Sequence, residues 1–276
     1  MPDESALDEG TPEQRRGSEL IPPSRRLLSL FFIYLHWYIG RHFHAVRLAN
    51  AGRFPREDGP LIVYSNHPSW WDPLVFFAVS RYLLPCTSHY GPMDAAALRH
   101  YGFFRKLGMF PVESGTRRGA VQFLRDVQDI LAAPNSALWL TPEGRFTDMR
   151  TRPATLLPGL AAVIARSRAC TVVPLAVEYT FWDERLPEIL LCCGKPIEVL
   201  DGRIQSAEEW SLQVGDALTD TQNELATLAM LREPSRFETV LTGRIGISGV
   251  YEAWKRLCAL VTGRTYQGSH GSIRGL

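Results

Sequence analysis

Apolar and polar positions fall in blocks that switch between two periods. Leu61-Ile62-Val63-Tyr64-Ser65, Ala137-Leu138-Trp139-Leu140 and Thr171-Val172-Val173-Pro174-Leu175-Ala176-Val177 are short apolar runs bounded by Pro, Gly or polar residues. Runs of that length and composition read as strands buried on both faces. Val46-Arg47-Leu48 and Glu188-Ile189-Leu190-Leu191-Cys192-Cys193 add two more. Helical stretches lie between them. One runs from Leu74 to about Tyr82, stopped by Pro85, and another from Asp94 to Tyr101, stopped by Gly102. Others cover Ala120 to Ala132 and Leu160 to Arg166, and Ser206-Ala207-Glu208-Glu209 is a capping-box start for a helix through about Leu231. Strand and helix alternate as in an α/β fold, with a central mixed sheet of about six or seven strands and helices on both faces.

The ends of the chain differ from this middle. Residues 1–24 are polar, charged and proline-rich, which predicts a disordered tail. Residues 25–44 open on Arg25 and Arg26 and then carry no formal charge from Leu27 to Gly40, with Arg41 following. A spanning helix needs about 20 apolar residues, and this run is shorter and includes His36. Its aromatic content and basic flanks suit a membrane-surface helix, with Phe31, Phe32 and Trp37 entering the headgroup region; packing of the same helix on the domain is the competing expectation. Residues 45–235 then read as the principal domain, and 236–276 as a C-terminal amphipathic helix, from Val250 to Leu260, with a tail.

Composition narrows the functional classes. In 276 residues the formal net charge is +1, which gives no basic excess for nucleic acid. The five cysteines form no Cys-x-x-Cys pair, and their odd number with an acidic N-terminus predicts a reducing compartment without a secretory leader. His42 and His44 have no third ligand nearby, so no metal is expected.

The candidate chemistry sits in Asn66-His67-Pro68-Ser69-Trp70-Trp71-Asp72-Pro73, between the Leu61 strand and the Leu74 helix. Pro68 and Pro73 disfavour regular structure, so His67 and Asp72 occupy a strand-to-helix junction. Such junctions at the carboxyl ends of strands are where open α/β sheets place their sites. If the loop turns into the helix, Asp72 fixes one imidazole nitrogen and leaves the other basic. That is the base and orienter of a hydrolase triad without its serine, since no Gly-x-Ser-x-Gly occurs in the chain. The alternative is that both residues merely cap the turn and the helix.

Four blocks in order resemble the phospholipid/glycerol acyltransferase family, the His-x4-Asp acyltransferases that include the lysophosphatidic acid acyltransferases. They are Asn66-His67 through Asp72, Gly108-Met109-Phe110-Pro111-Val112, Pro142-Glu143-Gly144 and Val173-Pro174-Leu175, within roughly residues 45–200. The resemblance implies a glycerol-phosphate acyltransferase-like fold and transfer of a fatty acyl group from acyl-CoA or acyl-carrier protein to a lipid hydroxyl. It implies His67 as general base, Asp72 as its orienter, and Glu143 and Gly144 as the opposite wall. No cofactor or covalent acyl-enzyme is implied, and the partners would be the lipid acceptor, the thioester donor and the cytoplasmic face of a membrane.

The chain departs from that family at two phosphate-handling positions. The second block more often ends isoleucine, aspartate, arginine, where this chain has Val112-Glu113-Ser114. The third is usually glutamate, glycine, threonine, arginine, and here Glu143-Gly144 is followed by Arg145-Phe146. Arg117, Arg118 and Arg145 are the cations left for substrate binding. Two other readings stay open: a membrane-surface lipid-binding protein without turnover, and an acyl-thioester hydrolase using water.

Overall fold

A computed structural model describes residues 20–55 and 59–243. Nine strands form one mixed sheet: β1 (Ala45–Ala49), β2 (Leu61–Ser65), β3 (Ser88–Asp94), β4 (Met109–Val112), β5 (Ser136–Leu140), β6 (Cys170–Thr180), β7 (Glu188–Cys193), β8 (Ile197–Val199) and β9 (Glu238–Thr242). Their order is β4-β3-β5-β2-β6-β7-β1-β9, with β8 paired to β6. From β4 to β6 neighbouring strands on this path are parallel. β7 and β9 then add antiparallel pairs, with β6 and β1 respectively.

The continuous apolar runs are explained by burial on both faces. Leu61 and Val63 of β2 face one core with Ala137 and Trp139 of β5. Ile62 and Tyr64 face a second core with Leu138 and Leu140. Helices α1 (Arg25–His42) and α2 (Asp72–Leu83) cover the first side. Helices α4 (Arg117–Ala132), α5 (Gly159–Ile164) and α6 (Ala207–Leu231) cover the second. A sixth, short helix, α3 (Ala95–His100), follows β3 and is capped by Asp94. α6 begins with the expected box: Glu209 N–H donates to Ser206 Oγ at 3.2 Å, and Ser206 N–H donates to Glu209 Oε2 at 2.8 Å.

Three expectations are corrected. Among the described residues the sheet has nine strands, not six or seven. β3 escapes the pattern because it carries Gly91-Pro92 and little aliphatic side chain, while β8 is three residues long and β9 is a half-exposed edge. The sheet also runs past the boundary expected at residue 235, since β9 pairs with β1. Residues 20–24 are held rather than free: Ser24 N–H donates to Lys106 O at 2.8 Å, and Leu20 packs on the second core. The tail up to residue 19 and the helix expected from Val250 to Leu260 lie outside the described residues.

α1 serves two surfaces. Leu35, Ile39 and Gly40 are buried against the domain, while Leu30, Ile33, Tyr34 and Trp37 are exposed. No helix among the described residues is long and apolar enough to cross a membrane.

Candidate active site

Three neighbouring strands, β5-β2-β6, bring the site together at their shared carboxyl edge. His67 follows β2, Glu143 follows β5, and Tyr179 is near the end of β6. Asn66, buried at the end of β2, bonds both backbone groups of Val177 in β6. This side chain pins the His67 loop to the neighbouring strand, where no further ladder bond is available.

The loop turns into α2 within five residues. Asp72 N–H donates to Ser69 O at 3.1 Å, and Trp71 N–H to Ser69 Oγ at 3.3 Å. Pro73 falls in the first helical turn, where its missing N–H costs nothing. Asp72 is fully buried, and three donors converge on its carboxylate. His67 Nδ1 donates to Oδ2 at 2.7 Å, Ser69 N–H donates to Oδ2 at 3.1 Å, and the Tyr179 hydroxyl donates to Oδ1 at 2.5 Å. A buried carboxylate needs such partners to offset its lost hydration. With Nδ1 so engaged, Nε2 is left as the basic nitrogen. The His67 side chain keeps 17% exposure, so a substrate can reach it.

Glu143 closes the other side. Its Oε2 accepts the His67 backbone N–H at 2.6 Å, and Thr147 N–H returns to His67 O at 3.0 Å. Burial raises the Glu143 carboxyl above its ordinary 4.5, a shift only partly offset by the His67 N–H. Gly144 has φ +65°, and a Cβ there would meet Leu157 Cδ1 at 2.3 Å. The left-handed backbone favours glycine, and any side chain there would have to displace the exposed Leu157 side chain. Phe146 lays its ring 4.6 Å from the His67 ring while remaining exposed.

Beneath His67 a cavity of about 140 Å³ runs between α2 and strands β3 and β5. Phe76, Phe77, Leu107, Met109 and Trp139 supply its walls. His89 also lines it. Its Nδ1 accepts from Trp139 Nε1 at 3.0 Å and its Nε2 donates to Leu84 O at 3.0 Å, while burial pushes the imidazole down to about 4. The cavity wall is thus neutral as well as apolar.

Of the residues singled out in the sequence, His67, Asp72, Glu143 and Gly144 come together. Arg145 is exposed, and Arg117 and Arg118 are exposed in the first turn of α4. α4 follows β4, three strands away from β2, or about 14 Å at the usual strand spacing. Among the described residues no hydrogen bond or ion pair joins these three arginines to His67, Asp72 or Glu143. Sequence reasoning missed Arg152, whose guanidinium lies in the fields of Glu143 and Glu178 and is lowered by burial. It also missed Tyr179. The available signal was a lone hydroxyl-bearing aromatic at the carboxyl end of a buried strand, next to the strand that carries His67.

No curated protein matches the chain. Residues 45–178, from the first residue of β1 into β6, match the family model described as Acyltransferase. With His67, Asp72, Glu143 and Gly144 meeting at one edge of an α/β sheet, residues 45–178 are a domain of the acyltransferase family, the phospholipid/glycerol acyltransferases.

Proposed function

We propose that the protein moves a fatty acyl group from an acyl-CoA or acyl-carrier-protein thioester to a lipid hydroxyl. The observation that carries this reading is His67, oriented by a fully buried Asp72 at 2.7 Å and standing at an apolar cavity. In this reading the acyl chain lies in the cavity and the acceptor hydroxyl approaches Nε2. Nε2 takes the hydroxyl proton as the oxygen attacks the thioester carbonyl, and the tetrahedral oxyanion collapses by expelling the thiolate. The imidazolium returns the proton to that sulfur. Positioned general-base catalysis contributes typically about 10²- to 10⁴-fold in rate. Asp72 keeps the proton on Nδ1 and balances the imidazolium charge.

The same reading puts the protein at a membrane surface, where lipid acceptors reside. Leu30, Ile33, Tyr34 and Trp37 recur on one exposed face of α1, with Arg25, Arg26 and Arg41 at its ends. The Arg41 guanidinium lies 6.0 Å from the Trp37 ring, a pairing of cation and aromatic that suits an anionic headgroup layer.

The test is to mix purified protein with acyl-CoA and a total lipid extract, follow thiol release, and identify new lipids by mass spectrometry. Acylated lipid equal to the thiol released is expected, with both abolished in His67→Ala and mostly lost in Asp72→Asn. Thiol release without acylated lipid would make water the acceptor. Near-normal turnover in a folded His67→Ala protein would overturn the mechanism.

A further inference from the structure

Tyr179 has no counterpart in a two-residue base and orienter. We propose that it is a positioning residue for the transfer reaction, acting through Asp72: its hydroxyl locks the carboxylate in the one orientation that presents Oδ2 to His67. The inference rests on the reading of His67 as the base.

The geometry is specific. Asp72 has two oxygens and three protein donors, and the Tyr179 hydroxyl is the donor found on Oδ1, at 2.5 Å. Rotation of the carboxylate would break the bonds on Oδ2 from His67 Nδ1 and Ser69 N–H, and the Tyr179 bond on Oδ1 adds a restraint at the opposite oxygen that sharpens the orientation. The Tyr179 ring is fixed in turn. It packs 5.9 Å from the Phe43 ring, its backbone N–H donates to Met149 Sδ at 3.4 Å, and its neighbour Val177 is clamped by Asn66. Burial, and then the field of Asp72, holds the phenol well above its ordinary 10, so it remains a donor wherever the enzyme works. The contact joins β6 to the first turn of α2 across 107 residues of sequence, and Tyr179 lies one residue beyond the family match.

Tyr179→Phe removes one hydroxyl and keeps the ring. Because hydrogen bonds to buried charges are strong, kcat should fall about 10- to 100-fold with KM within about twofold. In an Asp72→Asn background the same change should cost almost nothing more, because Tyr179 acts only through that carboxylate. A purely structural role predicts otherwise: Phe43→Leu, which loosens the packing around the ring but keeps the hydroxyl, would then lower kcat as much as Tyr179→Phe. We expect Phe43→Leu to lower the unfolding midpoint and leave kcat nearly intact. If Tyr179→Phe fails to fold, a fluorinated tyrosine at 179 carries the test, since its altered donor strength should change kcat. An unchanged kcat in Tyr179→Phe or in the fluorinated protein, or losses that multiply in the double variant, overturns the proposal. His67→Ala is measured alongside, so residual turnover in that variant would indict the base assignment and not Tyr179.

Discussion

Asn66 grips Val177 by both of its backbone groups: its Nδ2 donates to Val177 O at 2.9 Å, and its Oδ1 accepts from Val177 N–H at 2.8 Å. One buried side chain therefore completes the β2–β6 pairing at the point where β2 ends and the loop carrying His67 and Asp72 begins. Asn66→Asp keeps the acceptor but cannot donate, and it sets a buried charge against a carbonyl. Asn66→Ala leaves both Val177 groups unpaired. Each is expected to lose about 1 to 3 kcal/mol of stability, Asp more than Ala, with activity falling further than unfolding explains because His67 is the next residue. Urea unfolding together with turnover on the folded fraction checks both.

Glu143 supplies a prediction with a pH sign. Its folded carboxyl titrates above its ordinary 4.5 because burial penalises the anion. Between the unfolded and folded values the native state binds more protons than the unfolded one, so stability from this group falls as pH rises through that window. Above it the ionised group carries a constant cost. Gln in its place accepts the same His67 N–H without that cost. Glu143→Gln should therefore unfold no earlier than the parent at pH 8, with any advantage shrinking as pH falls through the carboxylate range. Thermal melts of both proteins at several pH values measure this, and an advantage that grows on acidification would refute it.

The uneven legibility of the chain has physical causes. β2 and the capping box of α6 were readable because each signal lies within a few consecutive residues. His67 and Asp72 were readable for the same reason, as a turn into a helix closes their contact locally. Tyr179 was not, since it reaches Asp72 only after the chain has built β3, β4, β5 and their crossovers. β3 was hidden by Gly91-Pro92, which suggests a turn in any linear reading and is tolerated because its neighbours supply the ladder. On α1 the run Leu30-Phe31-Phe32-Ile33 is apolar all round, so only tertiary packing decides which residues turn inward. Phe31 packs on Phe77 at 5.0 Å, and Phe32 also faces the core.

That inward turn takes Phe31 and Phe32 out of the set expected to enter the headgroup region. Replacing Phe31 or Phe32 would damage packing as well as any lipid contact. Leu30, Ile33 and Trp37 are the exposed set, and changing all three to serine should leave the unfolding midpoint nearly unchanged. Co-sedimentation with anionic vesicles should fall by at least about tenfold, since burying large apolar side chains contributes about 1.5 to 3 kcal/mol each. Leu35→Ser, on the buried face, should instead destabilise the fold. Undiminished vesicle binding by the triple variant would remove α1 as the contact surface.

The acceptor is where this chain departs most from its family. A phosphate-bearing acceptor calls for a cationic clamp, and the positions that most often supply it hold Ser114 and Phe146. Phe146 covers His67 with an exposed aromatic ring, which favours an apolar or sugar-like group beside the reacting hydroxyl. The nearby Arg152 is already engaged: Nη1 donates to Met149 O at 2.7 Å and Thr151 O at 2.9 Å, and Nε donates to Asn223 Oδ1 at 2.9 Å. Glu143 and Glu178 in the same region add negative field against a second anion. Charge-assisted hydrogen bonds are worth about 1.5 to 3 kcal/mol each, so losing two weakens phosphate selection by roughly two to four orders of magnitude. Turnover should therefore be poor with lysophosphatidic acid and better with a lipid hydroxyl lacking a terminal phosphate, such as a glycolipid or lysophospholipid. Phe146→Arg should shift the ratio toward lysophosphatidic acid by at least about tenfold, as one such bond is restored beside His67. Side-by-side kcat/KM values for the two acceptor classes measure this. A strong preference for the phosphate substrate in the parent, lost in Arg145→Ala, Arg117→Ala or Arg118→Ala, would show instead that the clamp has moved to those arginines.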